Sequence, residues 1–382
     1  MSTDDYTRRD VIRKSAAASG IVALGSLAGC TGDDGNGNGN GNGDGTPTDG
    51  TETTTDGTQT TTTDDGEGPV GGVTPGEIVP ARAGAVVSMD AEAMLNDDDL
   101  KGIINTALDQ LRALDEEGEL PEDVDSAIAM AQEESDLDPT GFNQGLLFME
   151  VAEAGTDEDY AGFVMDTDWS ETELVEFIES ENDEPLQQSE YGGRTIYSSG
   201  TNEEGGLAVL ADGRYVLGPT NVLEDTIDVA NGDGDAVSGD FAATYDETTD
   251  GHVEFATVVP ENSFEEEEFE DIDTENLEAV EYMSGSVYKA GSAYGIEVNM
   301  RTDSEETASA LRDDMETILD AYLLSEDPPE DVQTAVENIE LTTDGSTMTM
   351  SYEEDIERID TFVEENLLQL LFQLAGNADT EI

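Results

Sequence analysis

Positive charge is what this sequence most conspicuously lacks: 13 lysines and arginines face 93 aspartates and glutamates, a formal net charge of −80 over 382 residues, with a sequence pI near 4.1. A nucleic-acid binder needs a basic face to neutralise phosphates, so nucleic acid is excluded as a partner. Docking of the folded part on an anionic lipid surface is disfavoured for the same reason. Cysteine occurs once, at Cys30, so the chain beyond it has no disulfide, no thiolate zinc site and no cysteine nucleophile. Histidine also occurs once, at His252, which excludes a histidine metal cluster by count. No apolar run reaches the roughly 20 residues that cross a bilayer; Ala16 to Gly29 and Leu367 to Leu374 are both shorter. No Walker motif, dinucleotide fingerprint, H-E-x-x-H pair or G-x-S-x-G elbow is found. No catalytic residue is therefore assigned, no cofactor is expected, and the chain is not read as an enzyme.

What is present begins at the N-terminus. Thr7-Arg8-Arg9-Asp10-Val11-Ile12-Arg13-Lys14 sets an arginine pair and two further cations ahead of a weakly apolar run rich in Ala, Gly and Ser, which ends in Leu27-Ala28-Gly29-Cys30. A charged region, a short apolar region and small residues before a cleavage point mark an export signal. The segment resembles twin-arginine signals, with Val11 and Ile12 where that pattern more often carries Phe and Leu. Leu27, Ala28 and Gly29 resemble a lipobox. That resemblance implies export by the twin-arginine translocase, cleavage after residue 29 and a lipid on Cys30 that holds the protein on the outer face of the cytoplasmic membrane. One acyl chain gives only marginal membrane binding, so stable attachment requires a double-chain lipid or a second contact.

Removing residues 1–29 takes away three acids (Asp4, Asp5, Asp10) and four bases (Arg8, Arg9, Arg13, Lys14), which leaves 90 acids and 9 bases, a balance of −81. In dilute buffer such self-repulsion opposes a compact state. In molar salt the Debye length falls to about 3 Å and the repulsion is screened. In this balance, and in its signal, the chain is similar to exported haloarchaeal lipoproteins.

From residue 30 to 72 the composition collapses to Gly, Asn, Thr and Asp, with an alternating Gly/Asn tract at Asn36 to Gly43 and a Thr-rich stretch at Thr46 to Thr63. Such a segment cannot bury a core and is expected to be a disordered linker. Its threonines are candidates for O-linked sugar; no N-x-S/T sequon occurs.

Two halves follow, 73–250 and 251–382. In the first, strands are predicted at Gly84–Met89, Gly145–Val151, Tyr160–Asp166, Arg194–Ser198, Leu207–Ala211 and Arg214–Leu217, the last two joined by an Asp212-Gly213 hairpin turn. Helices are expected after Asp97–Asp99, after Pro121, after the capping-box pattern Ser170-Glu171-Thr172-Glu173, and over Asn221–Val229. The second half offers strands at His252–Val259, Val280–Lys289, Tyr294–Met300, Ile339–Thr343 and Thr347–Tyr352. It adds a long helix after Asp303, a short one at Val332–Val336 and a final one to Ala375. Tyr160 to Ile178 (YAGFVMDTDWSETELVEFI) and Tyr294 to Arg312 (YGIEVNMRTDSEETASALR) resemble each other, which suggests a divergent internal duplication. Hairpins dominate, so the fold class expected is α+β, with mostly antiparallel sheets and helices packed on one face.

Candidate sites are few. His252 in a predicted strand lacks a marked nucleophile partner and is expected to be a half-exposed strand residue. Asn231, Asp233 and Asp235 alternate with glycines as calcium loops do, but Ala236 and the missing Glu depart from that pattern, so they are only weak metal candidates. Asp157-Glu158-Asp159, in a predicted hairpin turn, carries the same discount. Asp97-Asp98-Asp99 and Glu265 to Glu268 are expected to be solvated surface. Trp169 with Tyr160, and Tyr191 with Tyr197 and Tyr215, are candidates for lining a ligand groove, though core packing is the commoner use of such aromatics. Leu367–Leu374 is expected to be a core-facing helix. A non-enzymatic binding or structural role in the archaeal envelope follows, with an envelope protein or small solute as partner. A solute-binding lipoprotein of an ABC importer and a carboxylate-dependent extracellular hydrolase are the alternatives.

The charge balance generates the first prediction. Moving the protein from molar salt to about 0.1 M, where the Debye length grows to about 10 Å, abolishes its far-ultraviolet circular dichroism signature of folded structure, and restoring the salt recovers it.

Overall fold

Strands β1 (Ala85–Asp90) and β8 (Val253–Val258) pair antiparallel and join the two halves of the chain into one continuous twelve-stranded sheet. The computed structural model describes residues 73–113, 120–135, 137–151, 160–182, 185–198, 205–260, 263, 276–325 and 330–364. Arg8, Arg9, Leu27, Ala28, Gly29, Cys30, the linker, Asp157–Asp159, Glu265–Glu268 and Leu367–Leu374 lie outside them.

On one side of the β1–β8 pair follow β2 (Phe142–Met149), β3 (Ala161–Thr167), β7 (Arg214–Gly218), β6 (Gly206–Ala211), β5 (Arg194–Ser198) and β4 (Gln187–Tyr191). On the other follow β9 (Val280–Ala290), β10 (Ala293–Thr302), β12 (Thr347–Asp355) and β11 (Glu340–Asp344). Every strand pair is antiparallel. The α+β class expected from the hairpin pattern is the class observed. Both halves run outward by the same plan. A first strand is followed by two more, a helix crosses the sheet, and the last strand of the returning segment pairs with the third, β7 on β3 and β12 on β10. The first half adds β4 and β5 beyond that plan.

Helices α1 (Pro75–Ile78), α2 (Ala91–Asn96), α3 (Asp98–Arg112), α4 (Val124–Ser135), α5 (Glu171–Asn182), α6 (Thr220–Asn231), α7 (Gly239–Asp246), α8 (Glu305–Ser325) and α9 (Glu330–Glu337) complete the described elements, with a 3-10 turn at Pro139–Gly141 and a further helical stretch at 356–364. The predicted capping box opens α5: the Glu173 carboxylate accepts from Ser170 N–H at 2.9 Å while Ser170 Oγ accepts from Glu173 N–H at 3.3 Å. α1, α2, α7 and β4 were not foreseen. α2 and α7 are short, and β4 (QQSEY) has no apolar alternation, since it is an exposed edge strand.

The helices cover both faces of the first half, not one. Consecutive residues of β3, β6 and β7 point to opposite faces, and both sets are apolar. Val164, Ala208 and Val216 pack with Phe148, Val222, Leu223 and Ile227 under α6, while Met165, Leu207 and Tyr215 pack with Phe142, Trp169 and Leu174 under α5. A strand that is apolar on two faces needs two layers of cover. In the second half α8 lies on the same face as α5, where Leu311 meets Val280, Met300 and Met348. α7 lies on the opposite face, its Phe241 and Tyr245 joining Val86 and Ala256.

Gly162 shows how tightly the α6 side is packed. A Cβ at that position would lie 2.3 Å from Phe148 Cζ and 2.7 Å from Val222 Cγ1, and Phe148 and Val222 are both fully buried. Gly162→Ala is accordingly expected to cost about 1–3 kcal/mol through overpacking, read as a lower midpoint in denaturant titration at constant molar salt.

Candidate functional site

Asp97 sits between α2 and α3, and caps α3 by accepting at Oδ1 from Asp99 N–H at 3.0 Å and Leu100 N–H at 3.3 Å. The acidic run was expected to be solvated, but only Asp98 and Asp99 are exposed; Asp97 is 7 % exposed. Its two oxygens also gather side chains from the second half of the chain. Lys289 Nζ, on β9, donates to Oδ1 at 2.6 Å and to Asp99 Oδ2 at 2.6 Å. The Tyr294 hydroxyl, on β10, donates to Oδ2 at 2.6 Å, and His252 Nε2, just ahead of β8, lies 3.1 Å from the same oxygen. The His252 and Tyr294 rings are 6.1 Å apart, and the Lys289 ammonium lies 5.8 Å from the Tyr294 ring centroid.

Burial by itself would push the Asp97 carboxyl up. The hydrogen bonds from Lys289, Tyr294, Leu100 and His252 outweigh it and hold the group well below the usual carboxylate range. Burial first, and then the bond to Asp97, push the Tyr294 hydroxyl up, while Asp97 and Asp99 hold the Lys289 ammonium above its usual range. The ring of His252 makes no further hydrogen bond among the described residues, and a general base needs a nucleophile within hydrogen-bond reach. The group is a brace. It fixes the start of α3 to the ends of β8, β9 and β10, where the expectation for His252 had been a half-exposed strand position.

Val287 and Lys289 point to the same face of β9, as do Ile296 and Tyr294 of β10, so the brace closes one end of an apolar strip on the central strands. One cross-strand row holds Leu147, Val87, Phe255 and Gly285, and the next holds Met89, Val253, Val287, Ile296 and Tyr352. α5 and α8 flank this strip without covering it: Val87 is 37 %, Val287 39 % and Ile296 50 % exposed. Phe255 lies across Gly285, where a Cβ would come within 2.8 Å of its Cε1.

No protein-family model matches the chain, and no curated protein does. Among solved structures, crystal form III of TP0453 is similar at a TM-score of 0.40 and 9 % identity, over 77 % of this chain and 98 % of that one. Crystal form I gives 0.39 and 11 % over the same shares, and crystal form IV gives 0.37 and 8 % over 75 % and 97 %. Nothing about the site is carried over from them.

Of the remaining sequence candidates, Trp169, Tyr197 and Tyr215 share one packed cluster, Tyr160 and Tyr191 lie in another, and Asn231, Asp233 and Asp235 stand apart. Asn231, Asp233 and Asp235 form the end of α6. Gly232 there has φ 77°, Asp233 N–H donates to Asp228 O, the Asn231 amide donates to Gly192 O at 2.9 Å, and the Asp235 carbonyl accepts from Ala81 N–H. Their spacing serves a helix cap. Tyr160 and Trp169 are buried in separate clusters on opposite faces of the sheet. Trp169 donates from Nε1 to Asp138 O at 2.7 Å, and the Tyr160 and Tyr191 hydroxyls bond Asp225 and Asp228, both at 3.0 Å. Tyr197 bonds Glu171, and Tyr215 donates to Trp169 O at 2.8 Å. These aromatics serve packing. Sequence alone offered no sign of the brace, because its members are 155 and 197 residues apart.

A carboxyl held low stabilises the fold above its unfolded value, near pH 4, and that contribution fades as pH falls through the lower folded value. Asp97→Asn is expected to cost on the order of 3 kcal/mol at neutral pH. The gap between variant and parent should close as the pH drops below the carboxylate range, measured by denaturation at one fixed salt concentration.

Proposed function

We propose that this is a non-enzymatic, lipid-anchored protein of the archaeal cell surface, exported by the twin-arginine translocase, held by a lipid on Cys30, and binding another protein of the envelope. The signal and lipobox pattern supports the address. The observation that carries the binding role is the exposed apolar strip at Val87, Val287 and Ile296. Contiguous apolar surface on a soluble domain marks an interaction site, and on a chain this acidic it is the one kind of surface that does not repel a likewise acidic neighbour. Position also supports a protein partner. The strip runs across the central strands, bounded by the brace, on a domain that the linker would lift clear of the headgroups. The engagement of the sole histidine by Asp97 supports a non-catalytic role, and the importer-receptor and hydrolase alternatives draw no support from an all-antiparallel sheet. The repeated strand plan of the two halves supports their origin by duplication.

On intact cells in molar salt, external protease should remove the domain, and Cys30→Ser should send it into the medium. A photoreactive residue in place of Ile296 should crosslink to a second envelope protein, and Ile296→Asp should abolish crosslinking from a photoreactive residue at position 87. Retention of the protein in the cytosol, or crosslinks confined to lipid or to its own chain, would refute the proposal.

A further inference from the structure

On the face opposite the strip, the sheet is apolar beneath α6 and under Phe241 and Tyr245 of α7, and polar side chains line up beside that core across the second half. The register aligns Ser88, Glu254, Ser286, Glu297 and Ser351 in one row over β1, β8, β9, β10 and β12. The adjoining row carries Ala256, Ser284, Asn299 and Thr349. Ser284 and Ser286 are 0 % and 1 % exposed, and their hydroxyl oxygens alone among the buried side-chain polar atoms described have no hydrogen-bond partner. A buried hydroxyl left in that state is destabilising, so each such group calls for an account.

Two carboxylates flank Ser286 and reach over the same chain segment, between α7 and β8. Glu254 accepts from Gly251 N–H at 3.0 Å through Oε1 and from the Tyr245 hydroxyl at 2.8 Å through Oε2; the same hydroxyl lies 2.7 Å from Ser88 Oγ. Glu297 accepts from Thr249 Oγ1 at 3.1 Å through both oxygens, and its Oε1 also accepts from Thr249 N–H at 3.4 Å and the Asn299 amide at 3.0 Å. The ion pairs among the described residues all use other carboxylates. Arg301, the arginine on this face of β10, is engaged by Asp240 at 2.9 Å and Glu247 at 3.8 Å. Two carboxylates thus stand on either side of the buried Ser286 hydroxyl, with Ser284 two residues along β9 on the same face, and no ion pair among the described residues uses either carboxylate.

This donor set is all oxygen, which suits a hard cation rather than zinc or copper. Calcium takes six to eight oxygens, and no group of three or more carboxylate, histidine or cysteine ligands converges among the described residues. Magnesium dehydrates reluctantly and keeps several waters, which hydroxyls as buried as those of Ser284 and Ser286 do not accommodate, so two carboxylates and two hydroxyls suit a singly charged ion. We propose that Glu254, Glu297, Ser284 and Ser286 bind one alkali-metal cation, sodium or potassium, which locks the segment 247–252 over β8, β9 and β10. That segment ends in His252, whose ring bonds Asp97 on the other side, so the ion and the brace hold it from two directions. Salt then acts on this protein in two ways: by screening at every surface carboxylate, and by occupying one site.

Crystals of the full chain grown in molar rubidium chloride test the site directly. An anomalous peak is expected in contact with Ser286 Oγ and the two carboxylates. At constant ionic strength, the thermal midpoint should be higher in sodium or potassium chloride than in tetramethylammonium chloride by about 5 °C, the order expected for a nearly saturated ligand. Ser286→Ala and Glu297→Gln should each remove that dependence on cation identity, whereas Asp97→Asn should lower the midpoint in every chloride and keep it. A rubidium peak absent from this row overturns the proposal, as does equal stability in all the chlorides, or a cation preference that survives both Ser286→Ala and Glu297→Gln.

Discussion

Mutual repulsion among ninety carboxylates is the constraint on which the rest of this structure depends, and the positions of nine cations decide where it is relieved. Eight of the nine lysines and arginines beyond residue 29 form ion pairs with carboxylates, and the ninth, Arg194, bonds Asn231. Arg214 and Asp166 join β3 to β7 with a two-pronged contact at 2.7 and 2.8 Å, both side chains largely buried. Lys289 is set against both Asp97 and Asp99. Exposed pairs of this kind contribute little singly; the buried ones matter because removing one partner strands a charge away from water.

The segment around His252 is where these effects converge. It enters β8, the strand that ties the second half to the first. On one side the brace at Asp97 holds it to the start of α3, and on the other the Glu254 and Glu297 carboxylates reach over it. The central strands therefore carry an open apolar strip on one face and a buried polar row on the other. The strip face is left open here because α5 and α8 sit over the outer strands, whereas α7 covers β8 and β9 on the opposite face.

Strand and helix positions were readable from local chemistry. The Asp212-Gly213 turn, the Ser170–Glu173 capping box and the β-branched run of β1 each act within a few residues, so sequence neighbours carry the signal. The elements missed were those whose identity comes from position. β4 is a polar edge strand, and α7 is a short helix fixed by the contacts of Phe241 and Tyr245 with the sheet. The expectation of cover on one face failed at Phe163, Val164 and Met165, where three apolar residues in succession already announce two buried faces.

By itself the sequence determined the charge balance, the single cysteine and single histidine, and the antiparallel α+β class, since each depends on composition or on short-range spacing. Only the tertiary structure decided that Asp97 is buried while Asp98 and Asp99 are not. The same holds for the meeting of His252, Lys289 and Tyr294 on one carboxylate, and for the partnerless Ser286 between two glutamates. Those outcomes follow from the register of strands far apart in the chain, and register is set by how whole faces pack rather than by any one stretch of residues.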